Sequence, residues 1–112
     1  MNVKRQNVDD LVLLTIMDKE ANLSKSENFK DIVLKEIDAG AINLIISFEH
    51  VEYLDSSFLG ALVAILKTLT PKNGKLTLIE LNNDIRNLFE LTRLDKIFDL
   101  KNSLDTALEG HK

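Results

Sequence analysis

The segment Ile42–Phe48 places the strongest constraint on the fold. It is apolar nearly throughout and does not alternate between apolar and polar residues, which is typical of a central strand covered on both faces. After a mixed stretch, a run with helical spacing follows. Its apolar residues are Leu59, Leu62, Val63, Leu66 and Leu69. We therefore expect a buried strand to be followed by a helix from about Ser57 to Leu69.

The other apolar patterns alternate between strands and helices along the chain. Strands are predicted at Val3–Asn7, Leu11–Met17, Lys75–Ile79 and Ile97–Phe98; helices are predicted after Ser24 or Ser26, after Asn82 or Asn83, and after Ser103. Such alternation favours parallel pairing through right-handed crossovers. We predict one α/β domain over residues 1–112. Its mixed sheet begins with an N-terminal hairpin, is otherwise largely parallel, and packs with about four helices.

Charge and composition exclude several classes of protein. The net charge is −4, whereas nucleic-acid binding normally requires a basic face. There is no cysteine, so disulfides and thiolate metal sites are excluded. The longest apolar run, Phe58–Leu66, is less than half the length of a membrane span. We expect a cytoplasmic protein that neither binds nucleic acid nor inserts into a membrane.

The sequence lacks the enzyme motifs considered below and a cluster of residues that could ligate a metal. There is no Gly-x-Ser-x-Gly elbow, and the four glycines are too widely separated for a phosphate loop. His50 has Glu49 and Glu52 nearby, but more ligands would have to converge for a metal site, and a solvent-facing loop histidine is the simpler interpretation. We predict that the chain is not an enzyme and holds no cofactor and no metal.

Asp55-Ser56-Ser57 lies between the predicted buried strand and the start of the predicted helix. Asp and Ser are good N-caps, so the simplest interpretation of this tripeptide is helix capping. The helix that follows carries no charge before Lys67, and Phe58, Ala61 and Ile65 form an apolar flank. Either this helix is covered on more than one side, or its first turns expose an apolar patch to a partner.

With the element order in place, Asp55-Ser56-Ser57-x-Leu59-Gly60 resembles the phosphorylation motif of the STAS domain found in bacterial anti-sigma factor antagonists. Other segments resemble that family in order and spacing, and the likeness extends from about Val8 to Leu108. These similar segments are Val51–Leu54 before the motif, the Asn73-Gly74-Lys75 turn, Leu88–Phe98, and the terminal Ser103–Ala107. The resemblance implies a STAS-like fold for the predicted mixed sheet.

The family also implies partner switching. An unphosphorylated antagonist binds an anti-sigma factor, usually also a serine protein kinase, and so releases the sigma factor. Phosphorylation of the motif dissociates the complex, and a serine phosphatase removes the phosphate so that the protein can bind again. On this resemblance Ser57 is the phosphorylated residue. The expected partner-binding residues are Asp55, Ser56, Ser57, Phe58, Ala61, Ile65 and Asn22. A monomer or weak dimer is expected.

The sequence departs from the family pattern at two places. Phe58 stands where the family usually has glycine, and Lys19-Glu20-Ala21-Asn22 stands where the family usually shows Gly-x-Leu-Asp. Asn22 thus takes the place of a partner-contacting aspartate. An alternative function is a STAS scaffold for a partner outside sigma regulation, such as a stressosome-like assembly, a two-component output or a lipid-transport complex. A nucleotide-binding or hydrolytic activity is a third possibility, which the absent phosphate loop disfavours.

Overall fold

The computed structural model describes residues 1–109 as a five-stranded mixed sheet with four helices and a separate two-stranded ribbon. The strands are β1 Val3–Val8, β2 Leu11–Ile16, β3 Glu20–Ala21, β4 Asn43–Ser47, β5 Tyr53–Leu54, β6 Lys75–Ile79 and β7 Asp99–Lys101. The helices are α1 Leu23–Asp38, α2 Ser56–Leu69, α3 Asn83–Leu91 and α4 Leu104–Glu109. The main sheet has the order β1-β2-β4-β6-β7, and only β1 and β2 are antiparallel. The predicted α/β fold with an N-terminal hairpin is confirmed.

The two faces of the sheet bury two separate apolar clusters. Val12 and Leu14 of β2, with Leu44 and Ile46 of β4, pack with the buried faces of α1, α2 and α3. Side chains of successive strand residues point to opposite faces. The intervening residues Leu11, Leu13, Ile45 and Ile79 therefore form the second cluster, under α4. This arrangement explains why β2 and β4 are apolar rather than alternating.

Three helix starts lie close to their predicted positions, and one lies earlier. Asp55 caps α2, Asn82 caps α3, and the Oγ of Ser103 accepts from the amide of Thr106 at 3.3 Å at the start of α4. The prediction that Ser24 or Ser26 caps α1 is wrong, because the helix begins at Leu23, directly after Asn22. Both serines lie inside its first turn.

The last strand and the small ribbon differ from the sequence-based prediction. Ile97-Phe98 is not a strand: a short 3₁₀ turn at Leu94–Lys96 leads into Ile97, and β7 starts two residues later at Asp99. Phe98 is buried because its ring packs edge-on against Phe89, with 5.6 Å between the ring centroids. The ribbon of β3 and β5 was not predicted, since two-residue strands are too short to show a hydrophobic period.

Candidate functional site

The β3–β5 ribbon brings the starts of α1 and α2 side by side. Its two strands pair in parallel, with Ala21 opposite Leu54. The amide of Asp55 donates to the carbonyl of Ala21 at 3.1 Å. Each ribbon strand is followed at once by the N-cap of a helix, Asn22 for α1 and Asp55 for α2. The two N-caps are therefore neighbours although they are far apart in the sequence.

The Asp55 carboxylate caps two helices at once. Its Oδ1 accepts from the amide of Phe58 in the first turn of α2 at 3.0 Å. Its Oδ2 accepts from the amide of Leu23, the first residue of α1, at 2.9 Å. A carboxylate is suited to this position because both of its oxygens are acceptors. The predicted capping role of Asp55 is confirmed, and it extends to a second helix.

Ser56 and Ser57 form the exposed start of α2 and differ in accessibility. Ser56 is exposed and lines a surface groove, whereas Ser57 is half-buried. The first amides of a helix lack intrahelical acceptors. Asp55 satisfies those of Phe58 and Leu59, through its side chain and its carbonyl respectively. Among residues 1–109, neither serine hydroxyl has a hydrogen-bond partner, so both are available to a molecule approaching the surface.

The groove beside Ser56 has an apolar wall and an acidic rim. Its volume is about 560 Å³. It is lined by Glu52, Tyr53, Leu54, Asp55, Ser56, Asp84, Ile85 and Leu88. Three of these residues carry carboxylates, and none is basic. An anion placed in the groove therefore finds no cationic side chain in its lining.

Three large apolar side chains are exposed on the elements that line this groove and on the neighbouring start of α1. Tyr53 is 56% exposed in β5, Leu23 is 70% exposed at the start of α1, and Leu91 is 83% exposed at the end of α3. Leu91 lies three residues after Leu88, so the two lie on the same face of α3. None of these three residues was predicted to belong to the site. The exposure of Leu91 follows from helix periodicity, but that of Tyr53 depends on the unpredicted ribbon.

The predicted apolar flank of α2 is not on the surface. Phe58 and Ile65 are 0% exposed and Ala61 is 8% exposed. The Phe58 ring packs on Phe29 of α1, with 4.8 Å between the ring centroids. The assignment of these three side chains to an exposed partner-binding flank is therefore wrong, because α1 covers the flank. Of the two alternatives for α2, coverage on more than one side is correct.

Asn22 lies at the same surface as the two serines. It is half-buried, and its Oδ1 accepts from the Ser24 hydroxyl at 2.7 Å rather than capping the backbone of α1. The next residue, Leu23, donates its amide to Asp55. The structure thus brings Asn22, Asp55, Ser56 and Ser57 together at one end of the molecule.

The part of the chain that the structure describes contains no group of three His, Cys, Asp or Glu side chains arranged to hold a metal ion. The imidazole of His50 lies 3.7 Å from the Glu49 carboxylate, and both side chains are exposed. Within residues 1–109, no helix has the length and apolar character needed to cross a membrane.

Comparison with known proteins identifies the family. The STAS domain model matches residues 3–107. A Thermotoga maritima protein named "Putative anti-sigma factor antagonist" is 32% identical over 103 residues, which cover 91% of this chain and 90% of that protein. The anti-sigma-B factor antagonist of Listeria monocytogenes is 38% identical over 61 residues, or 54% of each chain.

Solved structures show the same fold. A crystal structure of a Thermotoga maritima protein, also described as a putative anti-sigma factor antagonist, has a TM-score of 0.87 at 27% identity, covering 96% of this chain and 92% of the other. The phosphorylated form of Bacillus SpoIIAA has a TM-score of 0.75 at 18% identity, covering 99% and 100% of the two chains. Because the family model matches residues 3–107, nearly the whole of this chain, the chain belongs to the STAS domain family.

Proposed function

We propose that this chain is an anti-sigma factor antagonist, and that phosphorylation in the first turn of α2 controls its binding to an anti-sigma factor that is also a serine kinase. One observation carries the proposal: Ser56 and Ser57 stand without hydrogen-bond partners in the described structure, at an exposed helix start beside an apolar groove. The names of the Thermotoga maritima and Listeria monocytogenes relatives support the sigma-regulating role.

Exposure favours Ser56 as the residue that accepts the phosphate. A kinase must bring the serine hydroxyl in line with the transferred phosphoryl group, so the acceptor has to be reachable from solvent. Ser56 is exposed and lines the groove, whereas Ser57 is half-buried. The sequence-based prediction of Ser57 stays a prediction. We place Ser56 first, with Ser57 as the alternative acceptor in the same turn.

The docking surface we propose includes Asn22, Leu23, Tyr53, Ser56 and Leu88. It combines the exposed starts of α1 and α2 with one wall of the groove. Large side chains exposed together at one end of a protein are typical of an interaction site. The buried Phe58, Ala61 and Ile65 contribute to this surface only by supporting the helix beneath it.

A phosphate on Ser56 would oppose docking without unfolding the protein. It adds roughly −1.5 to −2 charges at neutral pH. The helix start tolerates this charge, because free amides and the positive end of the helix dipole face it. The groove lining supplies three carboxylates and no cationic side chain that could replace the hydration of the phosphate, so the phosphate remains hydrated. A partner covering it must strip that water, and a cost of about 3 kcal/mol weakens binding roughly a hundredfold.

The test is phosphorylation by an anti-sigma factor kinase encoded in the same genome. The wild-type chain, Ser56→Ala and Ser57→Ala are incubated with kinase and Mg-ATP, and the phosphate is located by peptide mass spectrometry. Ser24→Ala is the matched control, since Ser24 is also exposed near a helix start. We expect a single phosphate that only Ser56→Ala abolishes.

A phosphate lost only in Ser57→Ala would support the sequence-based prediction instead. Failure of the wild-type chain to be phosphorylated, or a phosphate that both variants retain, would contradict the switch at this turn. Calorimetry then compares binding of the kinase by the unphosphorylated and the phosphorylated chain. Equal affinity of the two forms would contradict partner switching even if the phosphate is found.

A further inference from the structure

The start of α1 and the start of α2 are held together by one carboxylate. Asp55 accepts from Phe58, three residues along the same helix, and from Leu23, 32 residues away in the sequence. The first bond is an ordinary helix cap. The second is tertiary and joins the Asn22–Leu23 turn to the turn that carries Ser56 and Ser57. We call this hydrogen bond, from the Leu23 amide to Asp55 Oδ2, the tertiary latch.

We propose that Asp55 is a positioning residue: through the tertiary latch it holds the Asn22–Leu23 turn against the first turn of α2, so that a partner meets the two turns as one surface. The inference rests on the proposed function and deepens it. A flexible surface must be ordered when a partner binds, and that ordering reduces affinity. A latch formed in the free protein removes this cost before the partner arrives.

The two helices also meet through the rings of Phe29 and Phe58, but among the side-chain hydrogen bonds of residues 1–109 the tertiary latch alone joins the Asn22–Leu23 turn to the turn that follows Asp55. The ribbon behind them has only two residues in each strand. The Asn22 side chain turns back to Ser24 of its own helix and makes no bond to α2 among the hydrogen bonds of residues 1–109. Leu23 is 70% exposed, so its side chain is not held by packing. The two bonds made by Asp55, to Ala21 and Leu23, therefore hold this turn against α2 together with the ribbon pairing behind it.

A comparison with Asn82, the cap of α3, shows that the type of capping side chain matches the groups it contacts. Asn82 accepts from the Ile85 amide of α3 at 2.8 Å, and its Nδ2 donates to the carbonyls of Val51 and Glu52 at 3.3 and 3.2 Å. Asn82 needs an acceptor and a donor, which an amide provides. Asp55 contacts two amide donors and needs two acceptors, which only the carboxylate provides.

Asp55→Asn tests the latch because it keeps the shape of the side chain and removes one acceptor. Asn and Asp are equally good N-caps, so the bond to Phe58 survives. The new amide group then faces the Leu23 N–H, and two donors oppose each other. We expect the Leu23 amide to exchange with solvent about ten times faster or more, because a bond to a charged group is lost, while exchange at Phe58 stays unchanged. Amide exchange measured by NMR reports both residues and needs no partner.

Leu23→Pro breaks the same bond from its other end and leaves the charge of Asp55 in place. Proline is favoured at the first position of a helix, where its missing N–H is not needed by the helix itself. The preceding residue must be extended, and Asn22 already is, with φ −125° and ψ −178°. Leu23→Ala is the matched control, because it removes the same exposed side chain but keeps the amide.

Phosphorylation kinetics with the kinase of the preceding experiment provide the functional measurement. Loss of positioning should raise KM about fivefold or more in Asp55→Asn and in Leu23→Pro, with kcat within about twofold, because docking and not chemistry is affected. Leu23→Ala should change KM less than Leu23→Pro does. The double variant Asp55→Asn/Leu23→Pro should be no worse than either single variant, since both remove one bond.

Three results would overturn the proposal: an unchanged Leu23 exchange rate in Asp55→Asn, faster exchange throughout the chain, or equal KM values for Leu23→Ala and Leu23→Pro. Faster exchange throughout would mean that Asp55 only stabilises the fold. If the kinase does not phosphorylate the wild-type chain, the proposed function fails. Amide exchange alone then decides whether the latch holds the turn.

Discussion

Gly60 gives the sharpest test of how the surface of α2 is used. It is the fifth residue of that helix, and it is exposed. A Cβ added at this position would have no heavy atom within 4 Å, and the backbone conformation there is one that any residue adopts. Nothing in the free protein requires glycine at this position. Since glycine is the poorest helix former after proline, the substitution Gly60→Ala should stabilise the protein.

The size of the gain follows from helix propensity alone. Alanine exceeds glycine by about 0.8–1.0 kcal/mol within a helix, and no clash reduces that figure here. For a chain of 112 residues, the entropy of unfolding near the midpoint converts 1 kcal/mol into a rise in Tm of about 4 °C. Urea unfolding followed by circular dichroism should show a higher midpoint with an unchanged slope, which is the signature of altered stability.

If the proposed function holds, the same substitution should weaken binding of the anti-sigma factor. Gly60 lies four residues after Ser56, so an added methyl group projects from the face of α2 that carries Ser56, the proposed phosphate acceptor. We expect Gly60→Ala to be more stable than the wild-type chain and to bind the kinase more weakly in calorimetry. Unchanged affinity would mean that the partner does not approach α2 closely at this turn.

Gly74→Ala is the matched control, and it should lower the stability of the protein rather than raise it. Its Cβ would lie 2.7 Å from the carbonyl oxygen of Ile42 and 2.7 Å from Cδ2 of Leu69. The carbonyl belongs to the backbone and cannot rotate away, so we expect a loss of about 1–3 kcal/mol, typical of overpacking. If Gly60→Ala destabilises the protein, or if Gly74→Ala does not, the reasoning from local space and helix propensity is refuted.

Three further substitutions test the packing and the surface. Phe58→Ala should lower the free energy of unfolding by about 3–5 kcal/mol, because the ring is fully buried; a loss below 1 kcal/mol in urea unfolding would contradict the burial. Asn82→Asp keeps the cap of α3 but replaces the amide that donates to two carbonyls, and should cost about 1–3 kcal/mol in the same assay. Arg5→Ala should change stability by less than about 1 kcal/mol, because its ion pair with Glu36 lies near the surface; a larger effect would show that the pair is structural.

Sequence patterns were sufficient for the larger elements and for the caps of α2, α3 and α4. The apolar segment at Ile42–Phe48 and the alternation in Lys75–Ile79 correspond to β4 and β6. These patterns are reliable because a buried face repeats along the element itself. The caps at Asp55, Asn82 and Ser103 could be predicted because each side chain accepts from an amide three residues along its own helix.

The remaining features depend on residues that are distant in the sequence. The burial of Phe58 requires α1 to lie across α2, and no pattern within α2 distinguishes a covered flank from an exposed one. The second bond of Asp55 requires the ribbon that places Leu23 beside it. Ser57 was favoured over Ser56 from a family resemblance, whereas the difference in their exposure comes from the orientation of the first turn of α2.

The two edges of the main sheet bear on how this protein avoids unwanted self-association. One edge is β1, whose central residues Lys4, Arg5, Gln6 and Asn7 are all exposed and polar; the other is β7, which has only three residues. Exposed charges and very short edge strands discourage strand-to-strand association, which leads to aggregation. Both edges of the main sheet are therefore poorly suited to pairing with a strand of another molecule.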